Sequence, residues 1–247
     1  MANFDLYGRY YDALYEDKDY VAESNYIGGI LRNHGVRSGE VLEFGCGTGI
    51  HGRLLGEMGF RVHGVDLSHQ MIELARQTEN FSCEQGDIRN VSLDKTFDAV
   101  ISLFHVMSYQ VSNESVRAVF EKASMHLASG GLFVFDFWYQ PAVLMQRPES
   151  RFKRIRTSQT MISRFAEPTI KVNENLVDVS YTILVTGADK EIMGEIYETH
   201  SMRYFSLPEV ECYSSLYGFK MLSAEEFLSG NTPSSHTWGV CVVLQKI

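Results

Sequence analysis

The sequence predicts an α/β fold, a mostly parallel sheet of seven strands with a small antiparallel lid inserted after the fifth. Three observations carry this reading. Short apolar strands alternate with amphipathic helices up to Trp138, an order that implies parallel pairing through right-handed crossovers. The first strand runs straight into a glycine-rich turn that opens a helix. From about Ser158 to Phe205 the pattern changes to period two with no strong helix between, which is the mark of antiparallel strands. A chain of 247 residues accommodates one domain carrying such an insertion.

The elements follow in order. Asp19–Asn33 is expected to be helical, with Tyr20, Ile27, Ile30 and Leu31 on one face before Gly35 stops it. Glu40–Phe44 is a strand and Ile50–Met58 a helix closed by Gly59. Arg61–Asp66 is the second strand, and Ser68 is a good N-cap for a helix around Met71, Ile72 and Ala75. Phe81–Gln85 and Phe97–Phe104 are the third and fourth strands. Val116, Val119, Phe120, Ala123 and Leu127 recur at helical spacing in a helix over Glu114–Ala128, ended by Gly130-Gly131. Leu132–Trp138 is a fifth strand, apolar enough to be buried on both faces. The lid takes Met161–Phe165, Val177–Val185 and Ile196–Phe205. A helix near Pro208–Tyr217 and strands at Phe219–Ser223 and Thr237–Gln245 return to the core. The division is therefore a core of residues 1–138 and 208–247 and a lid of residues 139–207.

Composition narrows the function. The net charge of −9 disfavours nucleic acid, because phosphate binding needs concentrated Lys and Arg. The one basic cluster, Arg151–Arg156, reads first as a solvated edge. Cys46, Cys83, Cys212 and Cys241 show no CxxC spacing, so neither a metal site nor a disulfide framework is expected. With no basic leader and no apolar run of about 18 residues, a cytoplasmic protein without membrane contact is expected.

Glu43-Phe-Gly45-Cys-Gly47-Thr-Gly49 is the strongest local signal. Glycines there let the backbone turn and approach a ligand closely, and the helix N-terminus that follows suits a carboxylate. Asp66 follows Gly45 by 21 residues, near the roughly 20 expected of a carboxylate that holds ribose hydroxyls. Asp87 is placed to accept from an adenine amino group, with Ile88 pressing on the ring. All lie at carboxyl ends of consecutive strands, where open α/β sheets bind ligands. Together they describe a nucleoside site on a Rossmann-like core. The spacing GxGxG departs from the GxGxxG of dinucleotide enzymes, and Glu43 suits an ammonium better than a diphosphate.

These residues resemble the class I S-adenosylmethionine-dependent methyltransferases, whose first motif is (E/D)xGxGxG. The resemblance implies S-adenosylmethionine as cofactor, with Glu43, Gly45 and Gly47 at its methionine end and Asp66 at the ribose. Leu67 and Met71 would pack on the adenine, Asp87 and Ile88 would fix its other edge, and Leu103 and Phe104 would complete the wall. Tyr11, in the aromatic N-terminal segment, is the candidate for both cofactor and acceptor. His105 and Tyr109 follow the fourth strand, where such side chains orient or deprotonate an acceptor. Trp138 and Tyr139 end the fifth strand. His200, Met202 and Tyr204 share one face of a lid strand, opposite Arg203.

A narrower resemblance, through Tyr11-Asp12, EFGCGTGIHGRLL, GVDLSHQMIELAR and QGDIR, is to bacterial N,N-dimethyltransferases of nucleotide-linked 3-amino sugars. It implies a small-molecule acceptor, the amino group of such a sugar, and a homodimer. It assigns Trp138, Tyr139 and His200 to the substrate and lets the basic run at Arg151–Arg156 meet a diphosphate; Tyr204, on the His200 face of its strand, is a substrate candidate by that spacing alone. The chain departs from the family at Asp136-Phe-Trp138-Tyr139 and at Ser234-Ser-His236-Thr-Trp238-Gly. O- or C-methylation of another small acceptor and a silent cofactor-binding subunit remain as alternatives, since in-line methyl transfer needs no obligatory catalyst.

Overall fold

The computed structural model describes residues 18–156, 160–187, 189 and 191–247. Helix α1 (Tyr20–Asn33) is capped by the Asp19 carboxylate, which accepts from the Ala22 N–H. Strand β1 (Gly39–Phe44) leads through the glycine turn into α2 (Ile50–Glu57), and β2 (Phe60–Asp66) follows. Ser68 caps α3 (His69–Leu74), which precedes β3 (Phe81–Gln85) and β4 (Phe97–Ser102). A 3-10 turn at Val106–Tyr109 and α4 (Asn113–His126), capped by Ser112, lead to β5 (Leu127–Tyr139). Caps of this kind are worth about 1 kcal/mol each.

Strands β3-β2-β1-β4-β5 pair in parallel in that order. Along residues Leu132–Trp138, β5 also pairs antiparallel with β11 (Gly239–Lys246), which carries β10 (Phe219–Glu226). Helix α6 (Leu207–Leu216) packs with α4 on one face of the sheet, where Phe120 is ringed by Phe133, Phe135, Tyr213 and Phe219. Helices α1 and α2 cover the other face with Ile27, Leu31 and Leu55. The pleat explains the split, since Val41 enters the second cluster while its neighbour Leu42 enters the first.

The insertion forms four strands, β6 (Arg151–Arg156), β7 (Met161–Lys171), β8 (Leu176–Thr186) and β9 (Ile192–Phe205), antiparallel in that order. It joins the core at the tip of β5, where Trp138 and Tyr139 pair in parallel with Tyr204 and Phe205. Among the described residues the connected sheet therefore counts eleven strands, seven of the core and four of the lid, in one continuous sheet.

Several boundaries differ from the sequence reading for identifiable reasons. The basic run Arg151–Arg156 is the edge strand β6, its charges hiding a period-two pattern. A short helix α5 (Gln140–Gln146), with Pro141 in its first turn, precedes it. Gly130 does not end a helix; it sits at φ +78° inside β5, which starts earlier, at Leu127. Strand β7 runs on through Pro168, which pairs with Val179 beyond the reach of β6, so its missing N–H faces no partner strand. Strand β4 stops at Ser102 because Phe104 and His105 take left-handed conformations, φ +61° and +62°.

Candidate active site

The carboxyl ends of β1 to β5 and the inner face of the lid enclose a cleft of about 920 Å³. Gly45, Gly47, Asp66, Leu67, Met71, Asp87, Ile88, Leu103, Phe104, His105, Tyr109, Trp138 and His200 all line it. Glu43, Tyr139 and Tyr204 do not, and Tyr11 lies outside the described residues.

The glycines of the first turn serve distinct needs. All three have positive φ, +74° at Gly45, +55° at Gly47 and +74° at Gly49. A Cβ at Gly45 would lie 2.5 Å from Val106, and one at Gly49 only 2.3 Å from the Phe81 ring. At Gly47 a Cβ would meet nothing within 4 Å, so its side faces open cleft. These are the features of a turn shaped for close approach by a ligand.

Asp66 ties this turn to the end of β2. Its Oδ2 accepts from the Gly47 N–H and its Oδ1 from the Ser68 N–H, both at 2.8 Å. Burial raises its carboxyl pKa against the pull of those two N–H groups. Asp87 is held by Arg89, whose Nε and Nη2 donate to the carboxylate at 2.8 and 2.6 Å. That pairing holds Asp87 below the usual carboxylate range. Leu67, 53% exposed, and buried Met71 and Ile88 supply the apolar surface beside the two acids. Two acceptors flanking an apolar slot next to an open glycine turn fit the ribose, adenine and amino-acid tail of S-adenosylmethionine.

Glu43 lies beneath the turn instead of on its surface. It is 1% exposed, and its Oε2 has no hydrogen-bond partner. Burial, with Asp66 and Cys83 nearby, pushes its carboxyl up to about 8, against one N–H from Gly52. His51 Nδ1 stands 4.0 Å from Glu43 Oε1, and its Nε2 is 2.8 Å from Glu23 Oε2, itself paired with Lys18. Any contact of Glu43 with a cofactor would run through the turn.

On the lid side, the Tyr109 hydroxyl meets His200 Nδ1 at 2.9 Å, and His200 Nε2 meets Glu198 Oε2 at 3.1 Å. His200 is 2% exposed and stacks edge-on against Tyr181. This places a hydroxyl, an imidazole and a carboxylate in series at the cleft wall. The second histidine is held by Asp136, which is 1% exposed. Asp136 Oδ1 accepts the His105 backbone N–H at 3.0 Å, and Oδ2 makes a close but bent contact with His105 Nδ1 at 2.7 Å. Burial works against the Asp136 charge, but His105 and Lys18 outweigh it and keep the carboxyl below its ordinary range. Two successive left-handed residues cost roughly 1–3 kcal/mol each and persist where surroundings enforce them.

Two substrate assignments are corrected. Tyr139 alternates with Trp138 along the pleat and packs on the α4 side of the sheet. Tyr204 is fully buried in the lid cluster with Val143, Val177 and Val179. Arg203, opposite His200 as its spacing implies, bonds to Asn113 and Glu209. Conversely, Trp238, Gln146, Arg147, Arg164 and Tyr181 line the cleft without having been singled out for it. Trp238 donates from Nε1 to Gln146 at 2.9 Å and meets Trp138 edge-on. Only the Ser234–Gly239 departure from the family pattern hinted at this wall.

Among the described residues no group of His, Cys, Asp and Glu could hold a metal ion, and no helix is long and apolar enough to cross a membrane.

Residues 41–131 match the methyltransferase domain family, and the chain carries a methyltransferase domain of the S-adenosylmethionine-dependent class. It is similar to the dTDP-3-amino-3,4,6-trideoxy-alpha-D-glucopyranose N,N-dimethyltransferase of Streptomyces venezuelae, 26% identical over 227 residues that cover 92% of each chain. The fold matches an amino pentose methyltransferase from Micromonospora echinaspora solved with bound S-adenosylmethionine, with TM-score 0.78, 23% identity and 96% coverage of each chain. An S-adenosylmethionine-dependent methyltransferase from Clostridium acetobutylicum matches with TM-score 0.80, 21% identity and 98% coverage of each chain.

Proposed function

We propose that this protein methylates the amino group of a nucleotide-linked amino sugar, the core (1–138 and 208–247) holding the cofactor and the lid (139–207) the acceptor. The observation that carries this reading is the Tyr109–His200–Glu198 series, whose Tyr109 and His200 line the same cleft as the Gly47 and Asp66 cradle. Bound S-adenosylmethionine supplies a methyl group on a positively charged sulfur. An aliphatic amine is an ammonium at neutral pH, with an ordinary pKa near ~10, and has no lone pair until it loses a proton. Tyr109 accepts that proton while passing its own to His200, and Glu198 stabilises the imidazolium that results. The freed lone pair forms the new N–C bond as the C–S bond breaks and sulfur keeps the electron pair.

His105 and Trp138 orient the acceptor beside this series; Tyr11, outside the described residues, stays a candidate for the same role on its sequence alone. Glu43, Gly45, Gly47, Asp66, Leu67, Met71, Asp87, Ile88, Leu103 and Phe104 hold the cofactor, Glu43 through the turn above it. Arg147 and Arg151, on the lid side of the cleft, suit a diphosphate, since guanidinium groups bind phosphate oxygens in pairs. The relative from Streptomyces venezuelae named above acts on such a sugar.

The test is product analysis on a panel of nucleotide-linked amino and hydroxy sugars. Methyl groups are expected on nitrogen, with one adenosylhomocysteine released per methyl. Methylation of oxygen or carbon refutes the acceptor assignment, and no adenosylhomocysteine from any acceptor refutes turnover.

A further inference from the structure

Asp136 stands out once the cleft is accounted for. It is a carboxylate in the middle of an otherwise apolar strand, 1% exposed, and such a group is costly to bury without close partners. Across the sheet it faces Cys241, a buried thiol that offers little compensation. Lys18 contributes favourable charge. Its nearest polar neighbours are two atoms of one residue: the backbone nitrogen of His105, which donates to it at 3.0 Å, and the ring Nδ1, 2.7 Å away but not aligned as a hydrogen bond. That residue sits with Phe104 in the left-handed corner after β4, and both line the cleft. A core packing role needs no charge here. A carboxylate that fixes both the backbone and the ring of a cleft histidine does.

We propose that Asp136 is a positioning residue for methyl transfer: it enforces the Phe104–His105 corner and fixes the His105 imidazole so that its Nε2 is turned to the acceptor as a hydrogen-bond acceptor. A carboxylate beside Nδ1 keeps the proton on that nitrogen, which leaves Nε2 with a lone pair. Nε2 then accepts a hydrogen bond from the incoming amine and aims its lone pair along the line of displacement. The bent Nδ1 contact is of the kind that tightens when substrate binds. The ring is braced by Trp138, edge-on at a centroid distance of 6.3 Å, so a tilt at Asp136 is felt at the acceptor. The proposal rests on the amine-methylation reading for its kinetic effect, but not for its effect on the imidazole.

Asp136→Asn is the decisive variant. The amide still accepts the His105 backbone N–H through oxygen, while its NH2 group faces Nδ1 and drives the ring proton to Nε2. Nitrogen-15 NMR of the histidines in the full chain should show the Nδ1–H form of His105 replaced by the Nε2–H form; an unchanged tautomer overturns the proposal. With an accepted amino sugar, kcat should fall by about 100-fold, the effect of a small misplacement of the reacting pair, while the Kd for S-adenosylmethionine stays unchanged. Equal loss of cofactor affinity, or an unchanged kcat, overturns it.

Should Asp136→Asn not fold, His105→Gln provides the second arm, because that side chain is partly exposed. It should lower kcat as far as Asp136→Asn does, and wild-type kcat in this variant overturns the proposal. Where both fold, the double variant should cost no more than either single one, since the two residues act as a unit. If the tautomer switches but no amino sugar is methylated by wild-type protein, the assignment of Asp136 is supported and the acceptor reading alone falls.

Discussion

At the cofactor end of the cleft, the lining groups come from Gly45 to Phe104, and the polar contacts join near neighbours. Gly47 and Asp66 are 19 residues apart, and Asp87 and Arg89 only two. At the acceptor end, Tyr109 and His200 are 91 residues apart, and Trp238 and Gln146 are 92. One end is set by backbone turns at the tips of adjacent parallel strands, the other by side chains brought together from the core, the lid and the C-terminal loop. Binding and catalysis should therefore separate by mutation.

The largest effect is expected at the acceptor end. Tyr109→Phe removes the first member of the proton series and should lower kcat by roughly 10²–10⁴-fold, the range for loss of a general acid–base group. Calorimetry should find cofactor affinity unchanged. His200→Ala should do the same, and the two losses should not add, because each interrupts one path. A matching fall in cofactor affinity in either variant breaks the division between the two ends.

At the cofactor end the effect is smaller and inverted. Asp66→Ala removes a charged acceptor that also braces the Gly47 N–H. Hydrogen bonds to charged groups contribute about 1.5–3 kcal/mol, so S-adenosylmethionine should bind roughly 10- to 100-fold more weakly. The acceptor KM should be unaffected. Asp87→Ala should weaken the cofactor in the same direction while freeing Arg89. If neither variant changes the Kd, the cofactor map is wrong.

The glycines sharpen the comparison within the cofactor end itself. Gly49→Ala drives a Cβ to 2.3 Å from the Phe81 ring, so beyond the left-handed backbone cost that Gly47→Ala shares it should lose about 1–3 kcal/mol as overpacking, seen as the lower Tm of the two without ligand. Gly47→Ala meets no protein atom. It should cost about 1–2 kcal/mol for the left-handed backbone and show its main effect as loss of cofactor binding. Equal ligand-free Tm values for the two variants contradict the view that Gly47 faces the ligand while Gly49 faces the protein interior.

What the sequence disclosed follows the same division. Strand–turn–helix signals lie within short windows, so the glycine turn, Asp66 and Asp87 were readable with their neighbours. The Tyr109–His200 contact was not, because it depends on how the lid folds back, which no local pattern encodes. Glu198 escaped attention as one more exposed-type acid on a strand. Tyr139 and Tyr204 were misplaced because an aromatic near a strand end reads alike whichever face it takes. The charges of Arg151–Arg156 masked the strand β6, and Asp136 appeared only as a departure from a family pattern. Its partner is the backbone of a residue 31 positions earlier.

The smallest effect concerns Glu43, which is legible in the motif but buried under the turn it was expected to face. Its carboxyl, pushed up to about 8, keeps a proton in the native state that the unfolded chain has already lost. Between the ordinary carboxylate range and about 8, stability must therefore fall as pH rises, because the native state binds more protons there. Glu43→Gln is neutral throughout and lacks this slope. In ligand-free protein the variant should match wild type in Tm near pH 5 and exceed it progressively towards pH 8. Asp66→Ala should shift the same window downward, since Asp66 is one of the charges that raise it. A positively charged ligand seated on the turn favours the Glu43 carboxylate, so S-adenosylmethionine binding near neutral pH should release a proton in wild type and none in Glu43→Gln. Calorimetry in buffers of different ionisation enthalpy measures that number directly. Parallel Tm profiles and equal proton release in the two proteins place Glu43 outside the electrostatics of the cofactor end, and the division drawn above then begins at Gly45.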